Sequence, residues 1–318
     1  MLQKTLSKSF SLRGQGLHSG IAHKITFNPA PINHGYKIRR TDLINTPVID
    51  ALAENVVSTL RGTTLGNTKF SVSTIEHALA ALYACNIDNC LIDIDGAEFP
   101  IMDGSSIAFV QKILETGIIN QNAKREYLYF PRKKIRVKDE NTGASMLLMP
   151  DTSFKVECYI SFNSVLIKRQ EASLADLSDF VKEIASARTF VFVREIEALL
   201  GKGLIKGGSF DNAIVIYDQI MEQSKFDELS YLMKQETRNS QHLGYLMHKP
   251  LIYPNEPARH KLLDIIGDVA LVGYFIKGKI VAHNPGHTIN NLFSREIRKT
   301  LLNIPRMKEK ILITPDEN

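Results

Sequence analysis

The 318-residue sequence has no tryptophan, only three cysteines and no apolar run long enough to span a bilayer. Cys85, Cys90 and Cys158 are an odd number and form no CxxC pair, so they read as reduced, mostly structural thiols of a cytoplasmic protein. The first eight residues, Met1 to Lys8, lack the apolar core of a signal peptide. No low-complexity segment is present. A net charge of +5, dispersed along the chain, is too mild for a nucleic-acid partner, though it suits an anionic small substrate. The hydrophobic fraction of 44% and charged fraction of 23% are those of an ordinary soluble globular protein, and the length accommodates one large or two ordinary domains.

The most informative stretch runs from Asn255 to Asp268. His260, Asp264 and Asp268 recur at every fourth position and share one face of a predicted helix, while Leu263, Ile266 and Val269 form a second, apolar face. Pro257 suits the first turn, where its missing N–H costs nothing. An imidazole and a carboxylate four residues apart can ligate one metal ion, and a catalytic zinc needs three protein ligands plus an open position. This stretch supplies two, His260 and Asp264. The plain alternative is a surface helix with both side chains in solvent.

Strands and turns are predicted over residues 1–50, with a glycine-marked turn around Gly16-Leu17-His18-Ser19-Gly20 where backbone can approach a ligand. Strand-like segments continue to Ser73. A helix capped by Ser73 or Thr74 is predicted over 74–83, a buried strand over 90–95, and a helix from Ile107 ending at Gly117. Residues 118–128 read as a polar linker. Strands at 134–137, 144–149 and 154–160 follow, then a helix over 174–186. Residues 218–254 form a charged insertion without clear periodicity. His77 lies early in a helix that precedes an apolar strand, a turn at Asp103 and a second helix. His260 lies early in a helix that precedes an apolar strand, a turn at His287 and a second helix. The spacings are 26 and 27 residues. This reads as an internal duplication that would bring the two histidines to one interface, where small-molecule sites are common. A chance recurrence of helix–strand–helix units is the alternative.

On the duplicated pattern His77 is the natural third ligand. Glu76 points about 100° away from it, the offset of a general base that is not itself a ligand; the alternative is a first-turn glutamate stabilised by the helix dipole beside a core histidine. His287 is a candidate proton donor to a leaving amine, with Asp268 holding it protonated; the alternative is a plain neighbour of a helix N-cap. Lys261 is a candidate for an anionic group such as phosphate; a solvated lysine is the alternative. The glycines between Gly201 and Gly208 lack the order of a phosphate loop and read instead, with their apolar flanks, as the rim of an apolar slot.

Taken together, Ser73-Thr74-Ile75-Glu76-His77, Pro100-Ile101-Met102-Asp103-Gly104-Ser105, Ala187-Arg188-Thr189-Phe190, Gly207-Gly208-Ser209-Phe210-Asp211, Arg259 to Asp268 and Gly286-His287 resemble the zinc-dependent UDP-3-O-acyl-N-acetylglucosamine deacetylase family of lipid A biosynthesis. The likeness covers nearly the whole chain. It implies an α+β fold of two similar domains, each a mainly antiparallel sheet packed against two helices. The helices would face each other across the active site. The domains would be 1–123 and 124–302, the second carrying the acyl passage and the insertion 218–254, followed by a tail or linker, 303–318. It implies zinc on His77, His260 and Asp264, Glu76 as general base, His287 supported by Asp268 as general acid or electrostatic stabiliser, and Thr189 as oxyanion partner. Lys261 would contact the diphosphate, Phe190 and Phe162 would pack on sugar and uracil, and His18, Gly208, Ser209 and Phe210 would join the substrate site. The implied reaction releases acetate from the N-acetyl group of an acylated UDP-sugar, the committed step of the pathway. The implied partners are that substrate, a transient membrane surface and a downstream dehydratase fused in some relatives. Ser161 stands before Phe162 where family members often carry aspartate. The alternatives are deacetylation of another N-acetylated sugar nucleotide, and a non-catalytic sugar-nucleotide-binding module.

Overall fold

Strand Cys90–Ile94 buries every second side chain, as a strand with one face on the core must. It lies at the centre of a five-stranded sheet in the order Phe10–Gln15, Ala22–Pro29, Cys90–Ile94, Tyr36–Arg40, Val48–Asp50. Its pairing with Tyr36–Arg40 is parallel and the other three pairings are antiparallel. The molecule is known from a computed structural model that describes residues 1–233, 235–302 and 312–313.

A second sheet repeats this plan. Its strands run Ile135–Lys138, Ser145–Met149, Phe275–His283, Phe154–Ser161, Arg169–Leu174, again with one parallel pairing, between Phe275–His283 and Phe154–Ser161. Tyr127–Tyr129 extends it alongside Phe275–Lys277, and Leu312–Ile313 pairs with Tyr127 and Leu128.

Helices lie between and beside these sheets: α1 (Glu76–Ala84), α2 (Ile107–Thr116), α3 (Phe180–Glu183), α4 (Val193–Gly201), α5 (Gln223–Leu232), α6 (Glu256–Ala270) and α7 (His287–Leu302). All nine residues of α1 and 13 of the 15 in α6 are buried, because the two helices pack on each other as well as on their sheets. Gly267 permits the contact: a Cβ there would lie 2.1 Å from the Glu76 carbonyl oxygen. One apolar core runs through both sheets and the helix pair. In α7 the stripe Ile289, Phe293, Ile297, Leu301 faces that core. A smaller three-stranded sheet, Phe190–Phe192, Ile214–Tyr217 and Gly244–Leu246, stands with α4 and α5 over its own apolar clusters.

Several sequence expectations are corrected. The expected linker 118–128 is largely strand: Ile118–Lys124 pairs with Leu2–Leu6, its backbone satisfied there while polar side chains point outward. Arg125 is only 1% exposed; it donates to Asp88 at 2.6 and 2.7 Å and sits 3.8 Å over the Phe275 ring. The expected helix 174–186 is reduced to α3, because Ser173 pairs with Glu157 in the sheet and Asp176 accepts from the Ser178 N–H at 2.8 Å, drawing the chain into a tight turn. Neither Ser73 nor Thr74 caps α1; Thr74 has φ +59° and turns its hydroxyl to Glu98 instead. The insertion 218–254 contains α5 and the strand Gly244–Leu246. Of the expected tail 303–318, only the strand Leu312–Ile313 lies within the described residues.

Candidate metal centre and the cavities around it

The first turn of α1 and the first half of α6 meet where the helices cross. His77, His260 and Asp264 offer ligand atoms that all lie within 4.8 Å of one another, and all three residues are buried. Nε2 of His77 and Nε2 of His260 lie 3.9 and 3.4 Å from Oδ1 of Asp264. The other ring nitrogen of His260, Nδ1, donates to the Ala187 carbonyl at 3.0 Å, which leaves Nε2 as the lone-pair atom. Burial holds both imidazoles neutral, pushing His77 down to about 3, with the neighbouring His260 adding to the effect. Burial alone would raise Asp264, but the charges of Lys261, whose Nζ donates to it at 2.9 Å, and of the surrounding histidines outweigh that and keep its carboxyl well below the usual range.

Oδ1 of Asp264 and Nδ1 of His77 are buried without a hydrogen-bond partner. A buried acceptor left unpaired is costly. Two neutral imidazoles and an ionised carboxylate with a free oxygen form a donor set that zinc and similar divalent ions accept. The residues therefore fit such an ion.

Glu76 and His287 border this cluster, Oε1 to Nε2 3.9 Å apart. Burial, reinforced by Asp268 and Asp264, raises Glu76 to about 7. Burial works against the charged form of His287, yet the facing carboxylates of Asp268, Asp264 and Glu76 raise it to about 9. Its Nδ1 donates to Oδ2 of Asp268 at 3.0 Å, so the proton on that nitrogen is fixed and Nε2 faces the cavity. Asp268, wholly buried, also accepts from Asn290 at 2.9 Å and from the Thr63 hydroxyl. Thr63 donates its backbone N–H to Glu76 at 3.1 Å, so one residue ties both members of the pair.

The cluster opens into a cavity of about 360 Å³ that includes Thr189, Phe190 and Lys261 in its wall. A second, more apolar cavity of about 310 Å³ shares Leu17, Arg61, Thr189 and Phe190 with it and runs on between α4 and Ile205–Ser209. Thr189 is pinned by its N–H to Gly104 and its carbonyl from Ile214, both at 2.8 Å. The segment carrying it is anchored by a buried ion pair, Arg188 to Glu256 at 2.8 Å. Lys261 Nζ stands 5.4 Å over the Phe190 ring. His18 lines the apolar cavity and is lowered, first by its burial. Gly208 and Ser209 line it as well. Phe210 packs instead into the small apolar core and against His248, and Phe162 stands behind Phe190 at 5.7 Å, in the wall of neither cavity.

Sequence reasoning missed Thr63, Asn290, Glu98 and the Arg188–Glu256 pair. Asn290, one turn after His287, carries a periodic signal. Thr63 carries none, since its partner Asp268 is 205 residues away. Glu98, buried, accepts from the backbone N–H groups of His18 and Ser19 at 2.7 and 2.8 Å and so shapes the glycine-marked turn.

Buried imidazole and carboxylate side chains that could hold a metal ion, with a raised carboxyl and a charged imidazole on the same cavity, make a candidate site for metal-assisted proton transfer. The sequence profile of the UDP-3-O-acyl N-acetylglycosamine deacetylase (LpxC) family matches residues 3–229 and 239–299. The chain is 54% identical over 299 residues to a bifunctional enzyme LpxC/FabZ of Bacteroides thetaiotaomicron and 52% identical over 299 residues to that of Porphyromonas gingivalis. Each alignment covers 94% of this chain, which spans 65% and 64% of the length of those two relatives. It is 41% identical over 297 residues to the UDP-3-O-acyl-N-acetylglucosamine deacetylase of Myxococcus xanthus, covering 93% of this chain and 86% of that protein. The chain belongs to the UDP-3-O-acyl-N-acetylglucosamine deacetylase family. No helix among the described residues is long and apolar enough to cross a membrane.

Proposed function

We propose that this chain removes the N-acetyl group from UDP-3-O-acyl-N-acetylglucosamine, giving UDP-3-O-acyl-glucosamine and acetate, in the cytoplasm. The observation that carries this reading is the convergence of His77, His260 and Asp264 with Glu76 and His287 on one cavity that continues into an apolar one. His77, His260 and Asp264 would hold zinc, which when bound supplies a Lewis acid and lowers the pKa of water toward neutrality. Glu76 accepts the proton of the attacking water; its position near 7 suits a base at neutral pH. His287 carries a proton on Nε2, turned to the cavity, and delivers it to the departing amine while Asp268 steadies the imidazolium. Thr189, held by two backbone hydrogen bonds in the wall of the same cavity, would offer its hydroxyl to the developing oxyanion. Lys261 and Phe190 together offer a charge and a ring face to the nucleotide sugar. Phe162 and Phe210 support the walls from behind, and Gly208 and Ser209 take part in the acyl site.

The two sheets of like strand order support a division into two related α+β units, 1–123 and 124–302, with α1 and α6 facing each other across the site. Brief contact with a membrane surface that delivers the acylated substrate belongs to the same proposal, as does a dehydratase partner of the kind the bifunctional relatives' names imply. The test is acetate release from UDP-3-O-acyl-N-acetylglucosamine, alongside metal content, for the wild type, Glu76→Gln and His77→Ala. Stoichiometric metal with no acetate from the wild type would refute the reaction and leave the centre.

A further inference from the structure

The family profile leaves residues 230–238 unmatched, and three of them, Leu232, Met233 and Gln235, lie in the wall of the apolar cavity. We infer that Leu232, Met233 and Gln235 form a specificity-determining wall that sets the length of acyl chain the passage takes; the inference rests on the proposed acyl-sugar substrate.

The wall is built rather than loosely draped. Helix α5 is anchored by Phe226 and Leu229, buried in the small core, with the Phe226 ring 4.8 Å from Tyr217. Its C-terminal turn then presents Leu232 and Met233 to the cavity. Beyond it the chain is fastened at both ends. Gln235 donates its N–H to the Ser230 carbonyl at 2.8 Å. Gln223, at the start of α5, accepts from the Ser240 N–H at 2.9 Å and donates to the Arg238 carbonyl at 2.8 Å. The Tyr217 hydroxyl donates to the Ser240 carbonyl at 2.7 Å and accepts from the Met221 N–H at 3.0 Å. Leu232 is nevertheless 49% exposed, a large apolar side chain in the wall of this cavity. Thr189 and Phe190 line both cavities, whereas Leu232, Met233 and Gln235 line only the apolar one, so a chain that enters at the shared end reaches these three residues later. Short chains therefore end before the wall, and long chains bury methylenes on it.

The test uses acylated UDP-N-acetylglucosamine substrates with short and long straight chains. The Leu232→Ser/Met233→Ser variant should lose roughly fourfold in kcat/KM for each methylene contact removed, on the order of tenfold or more for the longest substrate. It should stay within about twofold of the wild type on the shortest. Met233→Trp should act in the opposite sense, moving the preferred length toward shorter chains. Equal losses on short and long substrates, or unchanged values on long ones, would overturn the inference. Displacement of a fluorescent apolar probe by straight-chain fatty acids reads the same wall without turnover. A wild type that deacetylates none of the substrates, yet whose length-dependent displacement changes in both variants, refutes the proposed reaction and supports the wall. Displacement curves that are identical in wild type and variants overturn the wall.

Discussion

Gly267→Ala isolates the helix crossing from the chemistry, because neither glycine nor alanine can contact substrate there. A Cβ at 267 would stand 2.1 Å from the Glu76 carbonyl oxygen and 3.0 Å from its Cα, where ordinary contact begins at 3.4 Å. The neighbour is backbone and cannot rotate away. Helices α1 and α6 must part by about 1.3 Å, the difference between 2.1 and 3.4 Å, and Glu76 and His77 ride on one helix while His260, Asp264 and Asp268 ride on the other. Alanine gains about 1 kcal/mol of helix propensity, and overpacking costs about 1–3 kcal/mol, so the protein stays folded with at most about 2 kcal/mol lost. Activity responds more steeply: a misplacement of about 1 Å costs on the order of 10²-fold. The assay is kcat/KM for acetate release with metal affinity and thermal unfolding on the same samples. Gly244→Ala is the control, since a Cβ there meets nothing within 4 Å. Wild-type kcat/KM and metal affinity in a folded Gly267→Ala protein would show that the crossing distance does not set the geometry of the centre.

The rate should be bell-shaped in pH, rising as Glu76 loses its proton near 7 and falling as His287 loses its proton near 9. Asp268→Asn removes the carboxylate that raises His287 and should move the falling limb to lower pH; a limb that stays in place there and in His287→Ala would remove His287 from proton delivery. Cutting the buried Arg188–Glu256 pair at one side, as in Glu256→Gln, should destabilise the protein by about 3–5 kcal/mol and release the segment that holds Thr189. Thermal unfolding and kcat measure the two effects, and an unshifted melting temperature would contradict it. A strong chelator should abolish activity and lower the melting temperature of the wild type, because an ion bound only to the folded state stabilises it; the same chelator should leave His77→Ala where it already is. A chelator-insensitive wild type would refute a resident metal.

The candidate ligands were legible because they obey local rules. His260, Asp264 and Asp268 recur at helical spacing, and Glu76 and His77 open a helix of strong helix formers. The strand Cys90–Ile94 and the stop of α2 at Gly117 follow from alternation and from a residue that adopts φ +89° without strain. The errors fell where long-range partners overrode local preference. Polar residues 118–124 became a strand because Leu2–Leu6 supplied the hydrogen bonds, and residues 174–186 were drawn out of helix by the sheet and by Asp176.

By itself the sequence determined which side chains can bind a metal, move a proton or line an apolar slot, since residue type and helical period are written along the chain. The duplicated pattern pointed to a shared interface, but tertiary structure decided the geometry in which they meet. The bare approach of Gly267 to Glu76 brings two histidines 183 residues apart to one Asp264 oxygen. Thr63 joins Glu76 to Asp268 from a loop with no motif. The depth of the passage likewise depends on where α5 ends, and α5 is held there by Tyr217 and its partners at distances no local pattern encodes.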